Sequence, residues 1–343
     1  MKEIKRIIYI DYAKAFAIFL VVLGHTGGLN TTLRNVVYSF HLPLFFILSG
    51  MVFNEKKYEI NYMDFIVRKI KTLLIPYLKY SIYILVFYFF VYMYLKELDF
   101  KFFFHKFLGI FTCIRYTEYS GFLWFIISLF TIQIIIIILN KILKKNKTVL
   151  LVSLILSSAL ICVINGTKIN LPLYFDLSLA NLFFFSFGNY LRENNFLDKI
   201  NTLCIFCIFF LAVTFNLKYC TYEIDIYFNE FGNVILFLIA AISGSIFFIK
   251  LFILLERIKK INFLILVGQN TNIIYCLHQV IVLPIVKKIC TYLHIYNIFK
   301  DLPLLFSVIV TVISITLIIY YSLLKKIFSK QENKLLRRLS TLM

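Results

Sequence analysis

The chain has 343 residues, of which 61% are hydrophobic and 15% charged, and its mean hydropathy is +0.88. A soluble domain of this length would be about a quarter charged and near half apolar, so a packed soluble enzyme is excluded. The net charge of +19, from 36 Lys plus Arg against 17 Asp plus Glu, stands in short clusters between apolar stretches. That placement speaks for membrane topology and against nucleic acid as a partner.

A spanning helix needs ~20 apolar residues, and such stretches recur from residue 7 to residue 324. They predict an all-α polytopic integral membrane protein with about ten transmembrane helices. The spans are residues 7–29, 35–53, 72–95, 121–140, 148–165, 177–192, 200–216, 232–254, 263–286 and 303–324. Basic residues gather at alternate boundaries: Lys2, Lys5 and Arg6, then Lys56, Lys57, Arg68, Lys69 and Lys71, then Lys141, Lys144, Lys145 and Lys147. The series continues with Arg192 and Lys199, with Lys250, Arg257, Lys259 and Lys260, and with Lys325, Lys326, Lys330, Lys334, Arg337 and Arg338. The positive-inside rule then sets both termini in the cytoplasm. Residues 1–343 are expected to form a single membrane-embedded domain with no fused soluble part. The long apolar segment at the N-terminus does not read as a cleaved signal peptide.

Two longer outer loops, 96–120 and 217–231, mix aromatic and charged residues and are expected to lie on the interface. Of the seven cysteines, Cys204 and Cys207 form a CxxC inside an apolar run, where small hydrophobic packing is the expected role. No structural disulfide and no metal site are expected.

Ionisable groups inside a span are costly and therefore candidates for function. The first span carries Asp11, Lys14 and His25 in an otherwise apolar helix. At 100° per residue, Lys14 and His25 differ by about 20° and Asp11 and His25 by about 40°, so the three share a face. Eleven residues of rise put His25 roughly 16 Å from Lys14, past the midplane. Two readings stand for this stripe: Lys14 snorkels to the interface with Asp11 capping or pairing with it, or Lys14 and the imidazole together suit a ligand with an anionic head and a long reactive arm.

The second span, FHLPLFFILSGMVF, holds His41, with Pro43 expected to bend the helix and Ser49 and Gly50 permitting close helix approach. Before the third span, VRKIKTLLIPY places Arg68, Lys69 and Lys71 ahead of an interruption at Pro76; these are topology signals or phosphate ligands. Trp124, the only tryptophan, reads as an outer aromatic-belt anchor. The ninth span carries GQNTNIIYCLHQ, with Asn270 and His278. His41 and His278 read equally as hydrogen-bonding glue between helices or as site residues.

Several of these segments, in order, resemble the membrane acyltransferase 3 family, and within it the sugar O-acetylase branch typified by fucose 4-O-acetylase. They are Asp11, Lys14 and Gly24–His25, with ten residues between the basic residue and the histidine, then HLPLFFILSG at 41–50, RKIKTLLIPY at 68–77 and LWF at 123–125. LFFFSFGNYLR at 182–192 and the GxNT…IYxLH stretch at 268–278 complete the set. The resemblance implies about ten helices, cytoplasmic acyl-CoA as donor and transfer to a sugar hydroxyl at or beyond the outer face. Lys14 stands where many members carry Arg, and it lacks the bidentate guanidinium fork.

The expected function is therefore a multi-pass cell-membrane O-acetyltransferase. It moves an acetyl group from acetyl-CoA to a hydroxyl of a cell-surface or exported saccharide or its lipid-linked precursor, as in exopolysaccharide modification. His25 is the expected general base or transient acyl carrier, with Asp11 and Lys14 completing the catalytic set at the inner mouth. Lys14, Arg68, Lys69 and Lys71 are expected to hold the donor's phosphates, and His41, Ser49, Trp124, Asn270 and His278 to line the acceptor side. The rival expectation is a transporter or flippase of a sugar or lipid-linked saccharide.

Overall fold

The computed structural model describes residues 6–53, 62–115, 121–143, 146–194, 196–219 and 223–340. The expected inner basic residues Lys2, Lys5, Lys56, Lys57, Lys144 and Lys145, together with Cys220, lie outside them, as do the side chains of Lys326, Lys330, Lys334, Arg337 and Arg338. The helices are α1 (Ile8–Gly24), α2 (Thr31–Tyr38), α3 (His41–Met51), α4 (Tyr62–Lys69), α5 (Ile75–Tyr94) and α6 (Phe100–Thr112). They continue with α7 (Trp124–Leu143), α8 (Asn146–Ile164), α9 (Phe175–Glu193), α10 (Phe196–Lys199), α11 (Thr202–Tyr219) and α12 (Val234–Ile258). The last are α13 (Asn262–Gln269), α14 (Thr271–Leu277), α15 (Leu283–Tyr292), α16 (Ile295–Ile298) and α17 (Pro303–Ser340). Among the described residues there is no strand, only an isolated bridge between Asp225 and Glu230.

Among the described residues, seven helical stretches are long and apolar enough to cross a membrane: Met63–Tyr94, Gly121–Leu143, Lys147–Ile164, Thr202–Tyr219, Val234–Ile258, Thr271–Tyr292 and Pro303–Lys325. Three expected spans are absent from that set, each for a physical reason. The first is realised as α1, only 17 residues long. The second is broken at Ser39–Phe40 into the 8-residue α2 and the 11-residue α3. The sixth is α9, whose Asp176, Ser178, Asn181, Ser186 and Asn189 are all buried and dilute its apolar character.

Proline acts differently from expectation at two places. Pro43 sits in the first turn of α3, where its missing N–H is one of the unsatisfied donors anyway, and the break precedes it. Pro76 does not interrupt its helix. The turn before it, Ile70–Leu74, widens to a π-turn that relieves the clash between the pyrrolidine ring and the preceding carbonyl. The same device recurs at His278–Val282, ahead of Pro284.

The chain divides into two compact units, one of residues 1–29 with 259–343, the other of residues 30–258. In the first, α1 packs along α13. Contact is backbone to backbone: a Cβ on Gly268 would stand 2.2 Å from the Asp11 carbonyl oxygen and 2.8 Å from its Cα. Tyr12, fully buried, ties the start of α1 to the entry of α13 by accepting from the Ile261 N–H at 2.6 Å and donating to the Lys259 carbonyl at 3.1 Å. At the far end of α1, a Cβ on Gly28 would meet Ser307 Oγ at 1.9 Å, which seats the turn after α1 on the start of α17.

In the second unit, α3 and α9 meet through reciprocal glycines. A Cβ on Gly50 would lie 2.0 Å from the Phe185 carbonyl oxygen, and one on Gly188 2.0 Å from that of Ile47. Gly50 thus has the close-approach role expected of it. The two loops expected to be outer hold structure in their described residues. Residues 100–112 form α6, about 20 Å long at 1.5 Å per residue and too short to cross. Its exposed Phe100, Phe104, Phe107 and Phe111 fall on one stripe, as an interfacial helix requires.

The other loop is clamped by Arg34, which pairs with Glu223 at 3.0 Å and Asp225 at 3.1 Å, while Asn35 Oδ1 accepts the Ile224 N–H at 2.8 Å. Burial pushes the Asp225 carboxyl up to about 6, against the opposing pull of Arg34 and the Tyr227 N–H. Between about pH 4 and pH 6 the folded protein therefore holds a proton that the unfolded chain has released, and stability falls as pH rises through that window. The expected result is that wild type loses thermal stability between pH 4 and pH 6 relative to Asp225→Asn, measured side by side in detergent. Parallel pH curves for the two proteins would refute it.

Candidate functional site

The first unit carries Asp11, Lys14, His25, Asn270 and His278. α1 runs without interruption from Ile8 to Gly24, so the predicted spacing holds: Lys14 and His25 lie at two levels of one face, about 16 Å apart by rise. One contact at the start of α1 was not foreseen in the sequence. Asp11 takes Arg6 as its partner, accepting from Nε at 2.5 Å and from Nη2 at 3.0 Å, a two-pronged pair that only a guanidinium can make. Lys14, partly exposed, has no hydrogen bond or ion pair among the described residues. The Asp11 carboxylate still acts on its ammonium through space.

His25 closes α1 as its C-cap, with φ −90° and ψ 0°, and its side chain is exposed. Beside it stands His278, fully buried, with ring centroids 5.3 Å apart and planes at 46°. His278 occupies the first position of the π-turn, and its Nδ1–H donates to the carbonyls of Tyr275 at 2.9 Å and Ile274 at 3.1 Å. Carbonyls only accept, so these bonds fix the tautomer: Nδ1 holds the proton and Nε2 keeps its lone pair. Two imidazoles from spans more than 250 residues apart in sequence thus share one location.

Asn270 breaks the helix between α13 and α14. Its Nδ2 donates to the Leu266 carbonyl at 2.7 Å, and its Oδ1 accepts from Ser322 on α17 at 2.8 Å. This polar joint lets the second half of the segment, with His278, take its own direction against α1. Gly268 is its other requirement. Gly268→Ala is expected to cost about 1–3 kcal/mol of stability by overpacking against the α1 backbone. A thermal midpoint in detergent equal to that of wild type would contradict the close approach.

The second unit carries the remaining candidates. His41, buried, donates Nδ1–H to the Val37 carbonyl at 2.8 Å and packs its ring 4.8 Å from that of Tyr38, which itself lies under Arg34 at 4.8 Å. Its tautomer is fixed in the same sense as that of His278. Lys69 lays its ammonium over Phe65 at 5.3 Å and Phe53 at 5.8 Å, whereas Arg68 and Lys71 are exposed. Ser49 is partly exposed on the α3 face beside Gly50.

Trp124 departs from expectation. It is buried, with its ring 6.4 Å from Phe46, 6.2 Å from Phe125 and 6.2 Å from Tyr227, so it anchors helices to one another and not to a lipid belt.

One polar centre escaped the sequence reading. Arg115, at the end of the α6 segment, is buried with Asp176 at the start of α9, and the two form an ion pair. Arg115 also donates to the Ile169 carbonyl at 2.6 Å, to Asn170, and to Asn229 Oδ1 at 2.9 Å. Its only sequence signal is an ionisable residue at the edge of an apolar stretch, with partners 61 and 114 positions away. Among the described residues no group of three His, Cys, Asp or Glu side chains is placed to hold a metal ion. The six described cysteines are free thiols.

A family model described as an acyltransferase domain matches residues 7–323, nearly the whole chain. The chain belongs to the acyltransferase 3 family. No curated protein and no solved structure matches it. Membership makes this an acyltransferase 3 protein with several membrane-crossing helices, and it covers both units, from the start of α1 into α17. Acyl transfer asks for a group that takes a proton from a nucleophile and for charge to hold an activated donor. The first unit offers an exposed imidazole at one end of α1 and the Lys14 ammonium near the other.

Proposed function

We propose that this acyltransferase 3 protein is a multi-pass cell-membrane O-acetyltransferase of the sugar O-acetylase branch. It spans the bilayer about ten times with both termini in the cytoplasm, the seven long helices being joined by α1, by α2 with α3, and by α9. Acetyl-CoA is the donor, and the acceptor is a hydroxyl of a cell-surface or exported saccharide or of its lipid-linked precursor. The observation that carries this reading is the placement on α1 of Lys14, which makes no hydrogen bond or ion pair among the described residues, with an exposed His25 about 16 Å further on against His278.

In this reading Lys14 holds phosphate of the donor in the first unit, and the pantetheine arm runs along the membrane toward His25; in the second unit Arg68, Lys69 and Lys71 are the candidates for the same chemistry. The imidazole of His25 takes the proton of the acceptor hydroxyl as the oxygen attacks the thioester carbonyl. The C–S bond breaks, and the proton passes to the departing sulfur, giving the ester and free CoA. Imidazole suits this because its ordinary pKa is near neutrality. Should the acetyl group rest first on the imidazole, the same residue serves as carrier. His278 positions His25, and His41, Ser49, Trp124 and Asn270 serve the acceptor side directly or by holding its walls.

The test uses purified protein in detergent with acetyl-CoA labelled in the acetyl group, following release of free CoA and label transfer with and without cell-envelope glycans. Glycan-dependent release with label in the glycan is the expected result. No release, together with a thermal midpoint indifferent to acetyl-CoA, would overturn the donor assignment and favour transport of an intact saccharide.

A further inference from the structure

At one end of the α11–α12 hairpin lies a cavity of about 180 Å³ that none of the roles above uses. Its charged lining is Lys250 and Arg257 from α12 and Asp198 from α10, with Thr202 at the start of α11 and Leu254 at the apolar side. Lys250, Leu254 and Arg257 follow one another at helical spacing, so one face of α12 presents cation, hydrocarbon and cation in turn.

Lys250 Nζ donates to the carbonyls of Leu197 at 2.7 Å and Ile200 at 2.5 Å, which fixes its position without neutralising its charge. No ion pair among the described residues involves Lys250, Arg257 or Asp198, although all three line the same small space. Two cations and one anion are thus held apart around it. Leu254, which lines the cavity, is exposed, as are Leu251 and Leu203, the sequence neighbours of its Lys250 and Thr202, as side chains facing lipid are. The volume falls below the ~300–1,000 Å³ of sites for drug-sized ligands, which disfavours a CoA nucleotide.

A ligand that matches would carry a phosphate, an amine one short linker away, and hydrocarbon. We propose that this cavity is a binding site for the headgroup of a phosphatidylethanolamine-type lipid. Its phosphate lies between Lys250 and Arg257, its ammonium at Asp198, and its acyl chains leave over Leu254 into the bilayer. Arginine and lysine on a helix end facing lipid otherwise signal only topology, and they need no carboxylate in a shared cavity.

The test is native mass spectrometry of the delipidated full chain in detergent, titrated separately with dioleoyl-phosphatidylethanolamine, dioleoyl-phosphatidylglycerol, inorganic phosphate and acetyl-CoA. Wild type is expected to retain the ethanolamine lipid in preference to the glycerol lipid. Arg257→Gln should weaken both by about tenfold, the loss of one charge-assisted contact. Asp198→Asn should leave phosphatidylglycerol binding intact and abolish the preference, a readout that general destabilisation would not give. The proposal is overturned if wild type retains neither lipid, if both variants bind as wild type does, or if phosphate or acetyl-CoA displaces the lipid at comparable concentration. CoA release, measured on the same proteins, reports acyl transfer independently of lipid retention.

Discussion

Replacing His25 with alanine is expected to lower glycan-dependent CoA release by about 10²–10⁴-fold, the usual worth of a positioned general base, while leaving the protein folded. The second half of that expectation follows from how the residue sits. His25 is exposed, and its backbone N–H caps the end of α1 by donating to the Val22 carbonyl at 3.1 Å. Alanine keeps that bond.

His278 gives the contrasting case. It is fully buried and holds two carbonyls through Nδ1, so His278→Ala is expected to lower activity and thermal stability together. The two variants therefore separate chemistry from positioning. Transfer retained in His25→Ala would remove the residue from the mechanism, and an unchanged thermal midpoint in His278→Ala would mean that its two hydrogen bonds carry no structural weight.

What the sequence revealed and what it concealed divide along physical lines. Long apolar runs announce themselves, and seven of the expected spans are helices of sufficient length and apolarity. Lys14 and His25 were legible because a regular helix converts their spacing into a shared face. Arg6 was missed as a partner of Asp11 for a local reason: Lys14 is nearer in sequence along the helix, but Arg6 reaches Asp11 with a planar fork that matches both carboxylate oxygens. Trp124 was misjudged because a residue's distance along a span does not say whether it faces lipid or protein. The meeting of His25 with His278 depends on a backbone-close pairing of α1 with α13 through Gly268, and on a helix break at Asn270. Helix periodicity encodes neither. Arg115 and Asp176 were invisible for the plainest reason, being joined only by the tertiary fold.

That last pair yields the largest expected effect on stability. Both side chains are buried, at 3% and 1% exposure, so each charge has given up water and depends on the other. Removing one partner, by Arg115→Met or Asp176→Leu, is expected to cost about 3–5 kcal/mol, because it leaves the other charge buried and uncompensated. The consequence should be wider than one ion pair. Arg115 reaches Ile169, Asn170 and Asn229; Asn229 in turn donates to the Ile169 carbonyl at 3.0 Å, and Asp176 accepts the Leu171 N–H at 3.3 Å. These bonds join three segments: the end of α6, the entry to α9, and the loop that Arg34 also clamps. Four residues on those segments, Cys113, Leu173, Tyr174 and Asn229, are held at positive φ, a conformation each would leave if its surroundings loosened.

The double variant, Arg115→Met with Asp176→Leu, removes both charges at once and is expected to lose much less than the sum of the single losses. It should not recover fully, because Asn170, Asn229 and the Ile169 carbonyl lose a donor. Thermal midpoints of the four proteins in one detergent measure the coupling. Single losses that are small, about 1 kcal/mol or less, and simply additive would show the pair to behave as an exposed one, and the buried centre would then not be what holds these segments together.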